Sequence, residues 1–258
     1  EERGDLHGSI AGIQPLLPRW LELCEHLARR LNLYLQPGSM AVLDDDGIYR
    51  NRAWLFGPDG CLGTQDKLIM TRFELEQWHI AAGSGLKVFD TALGKLGILI
   101  CYDNNIIENV RATKLLGADI IFMPHVTMCT PSSRPGAGFV DPQLWKNREA
   151  DPTSLRLEFD GMKGRAWLMK WLPARAYDNA IYAVFSNPIG MDDDQLKNGC
   201  SMIIDPFGDI LAECRGFEDS FVMATLVPEK LTQAGGHRYL QARRPELYRD
   251  ILGKEHQP

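Results

Sequence analysis

The stretch Leu96-Gly97-Ile98-Leu99-Ile100-Cys101-Tyr102-Asp103-Asn104-Asn105 carries the reading of the fold. Its first five residues are apolar on both faces, as a strand covered on either side must be. Val88-Phe89 and the Leu93-Gly94-Lys95 turn precede it and predict a hairpin. Ile106 to Leu116 reads as a helix, with Asn104 or Asn105 as N-cap and Gly117 as its stop. Ala118 to Met123 is a second apolar strand, closed by Pro124. Strand, helix and strand at this spacing make a βαβ unit, and the fold class is α/β with layered sheets and helices.

Working outward, Trp20, Cys24, Leu27 and Leu31 fall at helical spacing and predict an amphipathic helix over 14–33, with Pro15 and Pro18 near its start. Asp44 to Gly47 is a turn, Ile48 to Phe56 a strand, Pro58 to Gly60 a turn, and a further strand ends near Lys67. An acidic and aromatic segment, Phe73 to Ile80, follows. Beyond Pro124, residues 125–163 read as a long polar insertion loop rich in Pro, Gly, Ser and Arg. Next come a helix from Gly164 to Ala180, interrupted or kinked at Pro173, and strands at Ile181–Asn187, Cys200–Asp205, Ile210–Glu213 and Phe221–Val227. A basic tail, 231–258, ends in a short helix near Pro245 to Leu252. With no repeat or linker in between, 1–258 reads as one domain.

The composition excludes several classes. The net charge is −6 and no basic block occurs, which argues against a nucleic-acid partner. No apolar run approaches the roughly 18–20 residues of a membrane span, and the charged, Gly-containing residues 1–10 do not resemble a signal peptide. Six cysteines (24, 61, 101, 129, 200, 214) are scattered without a CxxC pair, against both a disulfide framework and a structural zinc site. Reduced thiols and a cytoplasmic location are the expectation.

Cys101 ends an apolar strand and opens a polar turn before a helix, where backbone N–H groups and the helix dipole favour a thiolate and an oxyanion. The same position also suits a small buried core residue. Lys67 follows a strand and precedes Leu68-Ile69-Met70; it is either a buried, tuned cation or a lysine whose head reaches water. Glu74 and Glu76 are candidate carboxylates. His125 follows the strand next to the Cys101 unit, so a Cys–His nucleophile–base pair is the competing arrangement.

Asp66-Lys67-Leu68, then Gly94 to Asp103, then Gly117-Ala118-Asp119-Ile120-Ile121 resemble the lysine and cysteine motifs of the nitrilase (carbon–nitrogen hydrolase) superfamily. Ala174-Arg175-Ala176-Tyr177-Asp178-Asn179, Ser186 to Gly190 and Gly199 to Gly208 resemble its later landmarks, in order, over about 20–230. The resemblance implies a four-layer α-β-β-α sandwich and a Glu-Lys-Cys triad acting on an amide, carbamoyl or, less readily, nitrile carbon. Cys101 would form a thioester or thioimidate, Lys67 would stabilise the tetrahedral intermediate, and ammonia or an amine would leave. Glu74 fits the second, substrate-orienting glutamate, with Glu76 the alternate; Tyr102 and His125 are the candidate substrate-binding residues. No metal or organic cofactor is required, and a homodimer or larger homo-oligomer is expected.

Two departures stand out. The family's triad glutamate closes an early strand, usually as Pro-Glu, upstream of the first helix, whereas here only Glu1 and Glu2 precede Arg3. The chain is therefore expected to lack the N-terminal strand–helix–strand, and the rival reading is a non-catalytic scaffold or ligand-binding relative. The second departure is the long insertion after Pro124, with Trp145, Arg148, Arg156 and Arg165, expected to cover substrate or to form an oligomer contact.

Overall fold

The computed structural model describes residues 5–127, 129, 138–192 and 195–254. The chain opens with α1 (Leu6–Ile13), a single 3-10 turn, and α2 (Leu17–Leu31). The helix expected over 14–33 is thus jointed, and helical structure begins earlier. Pro15 sits in the 3-10 turn and Pro18 in the first turn of α2, positions that need no backbone N–H. Asn32 closes α2 in a left-handed conformation, φ +51°.

The first sheet runs β1 (Ser39–Leu43), β2 (Tyr49–Gly57) and β3 (Gly60–Asp66), all antiparallel. The short helix α3 (Arg72–Glu76) leads to β4 (Ile80–Ala81), which pairs in parallel with the start of β2. Side chains alternate along β2, so Trp54 and Phe56 pack on Cys24 and Ala28 of α2. Ala53 and Leu55 face the other way, onto Leu96, Ile98 and Ile100.

Those last residues belong to the second sheet. It begins with the predicted hairpin, β5 (Val88–Thr91) and β6 (Gly94–Ile98). Helix α4 (Ile107–Leu115) then crosses to β7 (Ile120–Pro124), which lies parallel to β6. Gly97 lets α4 come close, because a methyl group there would stand 2.6 Å from Thr113 Cγ2.

Residues 125–163 correct the expectation of a loop. They hold α5 (Pro142–Lys146) and α6 (Pro152–Asp160), each started by an Asp N-cap and a proline. Leu155 and Phe159 of α6 form a small core with Cys129, Val140 and Leu196. The polar composition hid two short helices with few apolar positions.

The helix expected over 164–180 is two: α7 (Arg165–Leu168) and α8 (Leu172–Asn179). Pro173 has no N–H and its ring excludes the carbonyl four residues back, so the chain breaks and proline starts the new helix. β8 (Tyr182–Ser186) pairs in parallel with β7. A hairpin the sequence reading did not anticipate follows, β9 (Ile189–Asp192) with β10 (Gln195–Asn198). β11 (Met202–Ile204) and β12 (Ile210–Glu213) complete the six-stranded sheet, order β12-β11-β8-β7-β6-β5. Its outer face, with Leu99, Ile121, Met123 and Phe185, packs on Val110 of α4 and on Leu172 and Ala176 of α8. The layers are therefore α2, sheet, sheet, and α4 with α8, a four-layer α-β-β-α sandwich.

Phe221–Val227, expected as a strand, pairs with no strand among the described residues, and Phe221 and Met223 are each 80% exposed. The tail is more helical than expected: α9 (Lys230–Gln233), α10 (Gly235–Gln241), a 3-10 turn and α11 (Arg249–Leu252). Among the described residues no helix is long and apolar enough to cross a membrane.

Leu99 is fully buried between the second sheet and its helices. Leu99→Ala is expected to remove about 2–5 kcal/mol of stability, seen as a lower urea midpoint at an unchanged slope.

Candidate active site

Lys67 leaves the end of β3 with its backbone pinned on both sides: its N–H donates to the Asn51 carbonyl (2.8 Å) and its carbonyl accepts from Gly83 N–H (2.7 Å). The side chain is buried, and Nζ meets both Glu74 oxygens at 2.6 and 2.5 Å. Glu74 is itself fixed by a capping box at the start of α3. Thr71 N–H donates to Glu74 Oε2, and Glu74 N–H donates to Thr71 Oγ1. Burial pushes the Glu74 carboxyl up, but the Lys67 ammonium outweighs it and holds the acid below its usual value. Glu76, the alternate, is exposed and pairs with Arg72 at 2.8 Å. Glu74 is therefore the carboxylate that the structure brings to Lys67.

Cys101 follows the end of β6 with φ +52°, a left-handed conformation that a residue bearing a Cβ rarely adopts. Such a turn lifts the side chain off the strand direction. The α-helix read over Ile106 to Leu116 spans Ile107–Leu115, and Cys101–Asn105 before it form a 3-10 turn. The long helix dipole is thus displaced from the thiol. Other groups act on the thiol instead. Burial raises its pKa, while the charge and hydrogen bond of His125 and the ammonium of Lys67 lower it, and the net result is a thiol near about 6. The other described cysteines have no such surroundings; burial pushes Cys129 up to about 12 and Cys200 to about 11.

Three residues that were not among the candidate site residues hold this turn. Asp103 is completely buried and accepts from the backbone N–H groups of Leu68 (3.1 Å), Ile69 (2.7 Å) and Ile100 (3.2 Å). It ties the Lys67 loop to the Cys101 turn, and burial still pushes its carboxyl up to about 6 against those three donors. Asn104 Nδ2 donates to the Leu99 and Cys101 carbonyls at 2.9 and 3.0 Å. Arg175 of α8 reaches the Asn104 and Asn105 carbonyls at 3.1 and 2.9 Å. The polar run after an apolar strand was the available signal; what it could not show is that these side chains turn inward onto backbone.

His125 lies just past β7, with its ring between Phe185 and Trp171 (centroids 5.2 and 5.9 Å). Tyr102, next to Cys101 in the chain, is 37% exposed. Lys67, Glu74, Cys101 and His125 thus converge, with Tyr102 at their edge. Of the insertion residues, Arg148 stacks on Trp145 at 4.3 Å, within the insertion, and Arg156 on Phe217 at 4.2 Å, outside it.

Asp103→Ala would strand three backbone N–H groups, each loss on the order of 1–3 kcal/mol. The expected outcome is a lower urea midpoint together with faster hydrogen exchange at the Leu68 and Ile69 amides; unchanged exchange there would contradict the tie.

Known proteins share the sequence pattern and the fold. The sequence model of the family described as Carbon-nitrogen hydrolase matches residues 15–235. A "Probable hydrolase YhcX" of Bacillus subtilis is 41% identical over 108 residues, covering 42% of this chain and 21% of that protein. An "N-carbamoylputrescine amidase" of Solanum tuberosum is 25% identical over 227 residues, covering 83% of this chain and 63% of that one. The chain thus spans less than two thirds of either relative. In the solved carbon-nitrogen hydrolase of Helicobacter pylori G27 the same fold recurs, with TM-score 0.76 at 20% identity over 95% of this chain and 80% of that one. A family match from the first helices to α10, on the four-layer fold its motifs imply, makes this chain a member of the carbon-nitrogen hydrolase family, within the nitrilase superfamily.

Proposed function

We propose that the protein hydrolyses a non-peptide carbon–nitrogen bond in a small amide or N-carbamoyl compound, with nitriles the less favoured substrates. The observation that carries this reading is a thiol at about 6, on a left-handed turn, within the field of a buried lysine. Such a thiol is largely ionised near neutral pH, and the thiolate is the attacking species.

Cys101 Sγ adds to the carbonyl carbon, and the electron pair moves to oxygen. The Lys67 ammonium, fixed by Glu74, stabilises that developing oxyanion better than it does the neutral carbonyl. Collapse of the intermediate expels ammonia or an amine, which needs one proton, and leaves a Cys101 thioester. Water then releases the acid and regenerates the thiol. The similarity to an N-carbamoylputrescine amidase supports a carbamoyl or amide carbon as the target. All six cysteines are free, which supports a reducing, cytoplasmic setting. The exposed Phe221 and Met223 support association into a homo-oligomer.

A panel of amides, N-carbamoyl amines and nitriles, assayed for ammonia and acid release, tests the reading. The expected outcome is turnover of at least one class, abolished in Cys101→Ala, with kcat/KM rising as pH climbs through about 6 and the thiol ionises. Equal turnover by both proteins would remove Cys101 from the mechanism, and none by either would favour the scaffold reading.

A further inference from the structure

The last paired rung of β7 and β8 is Pro124 with Ser186. Beyond it the His125 N–H still donates to the Ser186 carbonyl at 2.8 Å. The next bond of a parallel ladder would come from the N–H of residue 188, which is proline, so the ladder stops there. The backbone of Asn187 turns to Ser201 instead. Its N–H donates to Ser201 Oγ (2.9 Å), and that hydroxyl donates to the Asn187 carbonyl (3.1 Å).

The side chain of Asn187 takes over where the ladder ends. Its Oδ1 accepts the Thr127 N–H at 2.9 Å, and its Nδ2 reaches Thr127 Oγ1 (2.7 Å), Asn198 Oδ1 (3.1 Å) and the Gly199 carbonyl (2.5 Å). The Thr127 hydroxyl donates to Asn198 Oδ1, and Asn198 Nδ2 donates to the Lys163 carbonyl at 2.7 Å. All three side chains are buried. The Thr127 N–H needs an acceptor there and the Gly199 carbonyl a donor. A carboxylate supplies only the first and an aliphatic side chain neither, so the position calls for a primary amide.

The peptide held in this way is the one that faces the nucleophile. The Val126 carbonyl and the Thr127 N–H belong to one peptide group, planar and trans, so they point in opposite directions. Fixing the N–H on Asn187 therefore aims the carbonyl. Cys101 Sγ stands 3.9 Å from that oxygen, within reach of an S–H···O hydrogen bond. Packing does not hold Val126, which is 45% exposed. A hydrogen bond at the N–H end also polarises the carbonyl and makes it a better acceptor.

We propose that Asn187 is a positioning residue for Cys101: it aims the Val126 carbonyl at the thiol and so fixes the direction from which sulfur meets the substrate carbon. The role rests on the hydrolase reading above for its effect on turnover, though not for the placement of the thiol. About Cα–Cβ the sulfur can occupy several staggered positions, and an acceptor fixed beside one of them selects it. A misplacement of about 1 Å at a reacting group costs on the order of a hundredfold in rate. Through Asn198 the same amide ties the aimed peptide to Lys163 at the far end of the insertion, so insertion and nucleophile share one buried polar anchor.

The test compares the full chain with Asn187→Ala, and with Tyr182→Phe as a control for lost stability. Tyr182 lies at the other end of β8, where its hydroxyl bonds the backbone of Val227. At about pH 5 the thiol is mostly protonated, and its S–H stretch is isolated by subtracting the infrared spectrum of Cys101→Ala. The unaltered protein is expected to show a band lowered in frequency by hydrogen bonding. In Asn187→Ala the band is expected to broaden and move toward that of a free thiol. There kcat should fall roughly tenfold or more, with KM within about twofold. Tyr182→Phe should lower the urea midpoint and change neither band nor kcat. An unmoved band or an unaltered kcat in Asn187→Ala overturns the proposal, and so does the same change in Tyr182→Phe. Should Asn187→Ala not fold, hydrogen exchange of the unaltered protein decides. The Thr127 amide is expected to exchange as slowly as the amides within β7, and exchange as fast as exposed amides overturns the role. A moved band with no turnover by the unaltered protein would sink the hydrolase reading and leave the thiol's placement. Cys101-dependent turnover with an unmoved band would do the reverse.

Discussion

A buried carboxylate with three backbone N–H donors joins the two sheets where the candidate chemistry sits. Lys67 leaves the first sheet and Cys101 the second, and packing of apolar faces alone sets their spacing only loosely, because hydrophobic contact is not directional. Asp103 supplies the direction. It belongs to the Cys101 turn, yet takes the N–H groups of Leu68 and Ile69 as well as that of Ile100. Its carboxyl is pushed up to about 6 by burial, so the charge is held there against its preference for water. That is the mark of a group placed for geometry, since a fixed cation and a nucleophile act together only when their separation is held to a fraction of an ångström.

The electrostatics follow from that placement. Lys67 and Glu74 form a buried pair with side chains 2% and 8% exposed. Such pairs add little net stability, because desolvation offsets most of the attraction. What this one supplies is an ammonium that cannot swing away. The thiol responds to its surroundings: burial raises its pKa, and the His125 and then the Lys67 side chains lower it. The left-handed backbone at Cys101 adds strain of the kind that persists only where neighbouring contacts hold it, here those of Asn104 and Arg175.

Much of the framework was legible in the sequence because its rule is local. The double-faced apolar runs at 96–100 and 118–123 read as interior strands, and the turn residues between them set the βαβ unit. Lys67, Glu74 and Cys101 were recognisable from ordered motifs, and Glu74 was separated from Glu76 only by the fold, through the capping box with Thr71. The roles of Asp103, Asn104 and Arg175 were not legible, since each depends on which distant backbone group the side chain meets. Two structural readings failed for related reasons. Residues 125–163 looked like loop because α5 and α6 are short and polar, their stability coming from caps and a small shared core. Phe221–Val227 looked like strand because its alternation is real, but a strand also needs a neighbour, and none of the described strands pairs with it.

The claim on which the account turns is that Cys101 carries the substrate as a thioester. It is tested most directly by mixing the protein with excess of a turned-over amide, quenching in acid within the steady state, and mapping peptides by mass spectrometry. The account predicts the mass of the acyl group on the peptide containing Cys101, absent from the other cysteine peptides and lost on incubation before quenching once substrate is exhausted. An unmodified Cys101 peptide during active turnover, or the acyl group on a different residue, would contradict it.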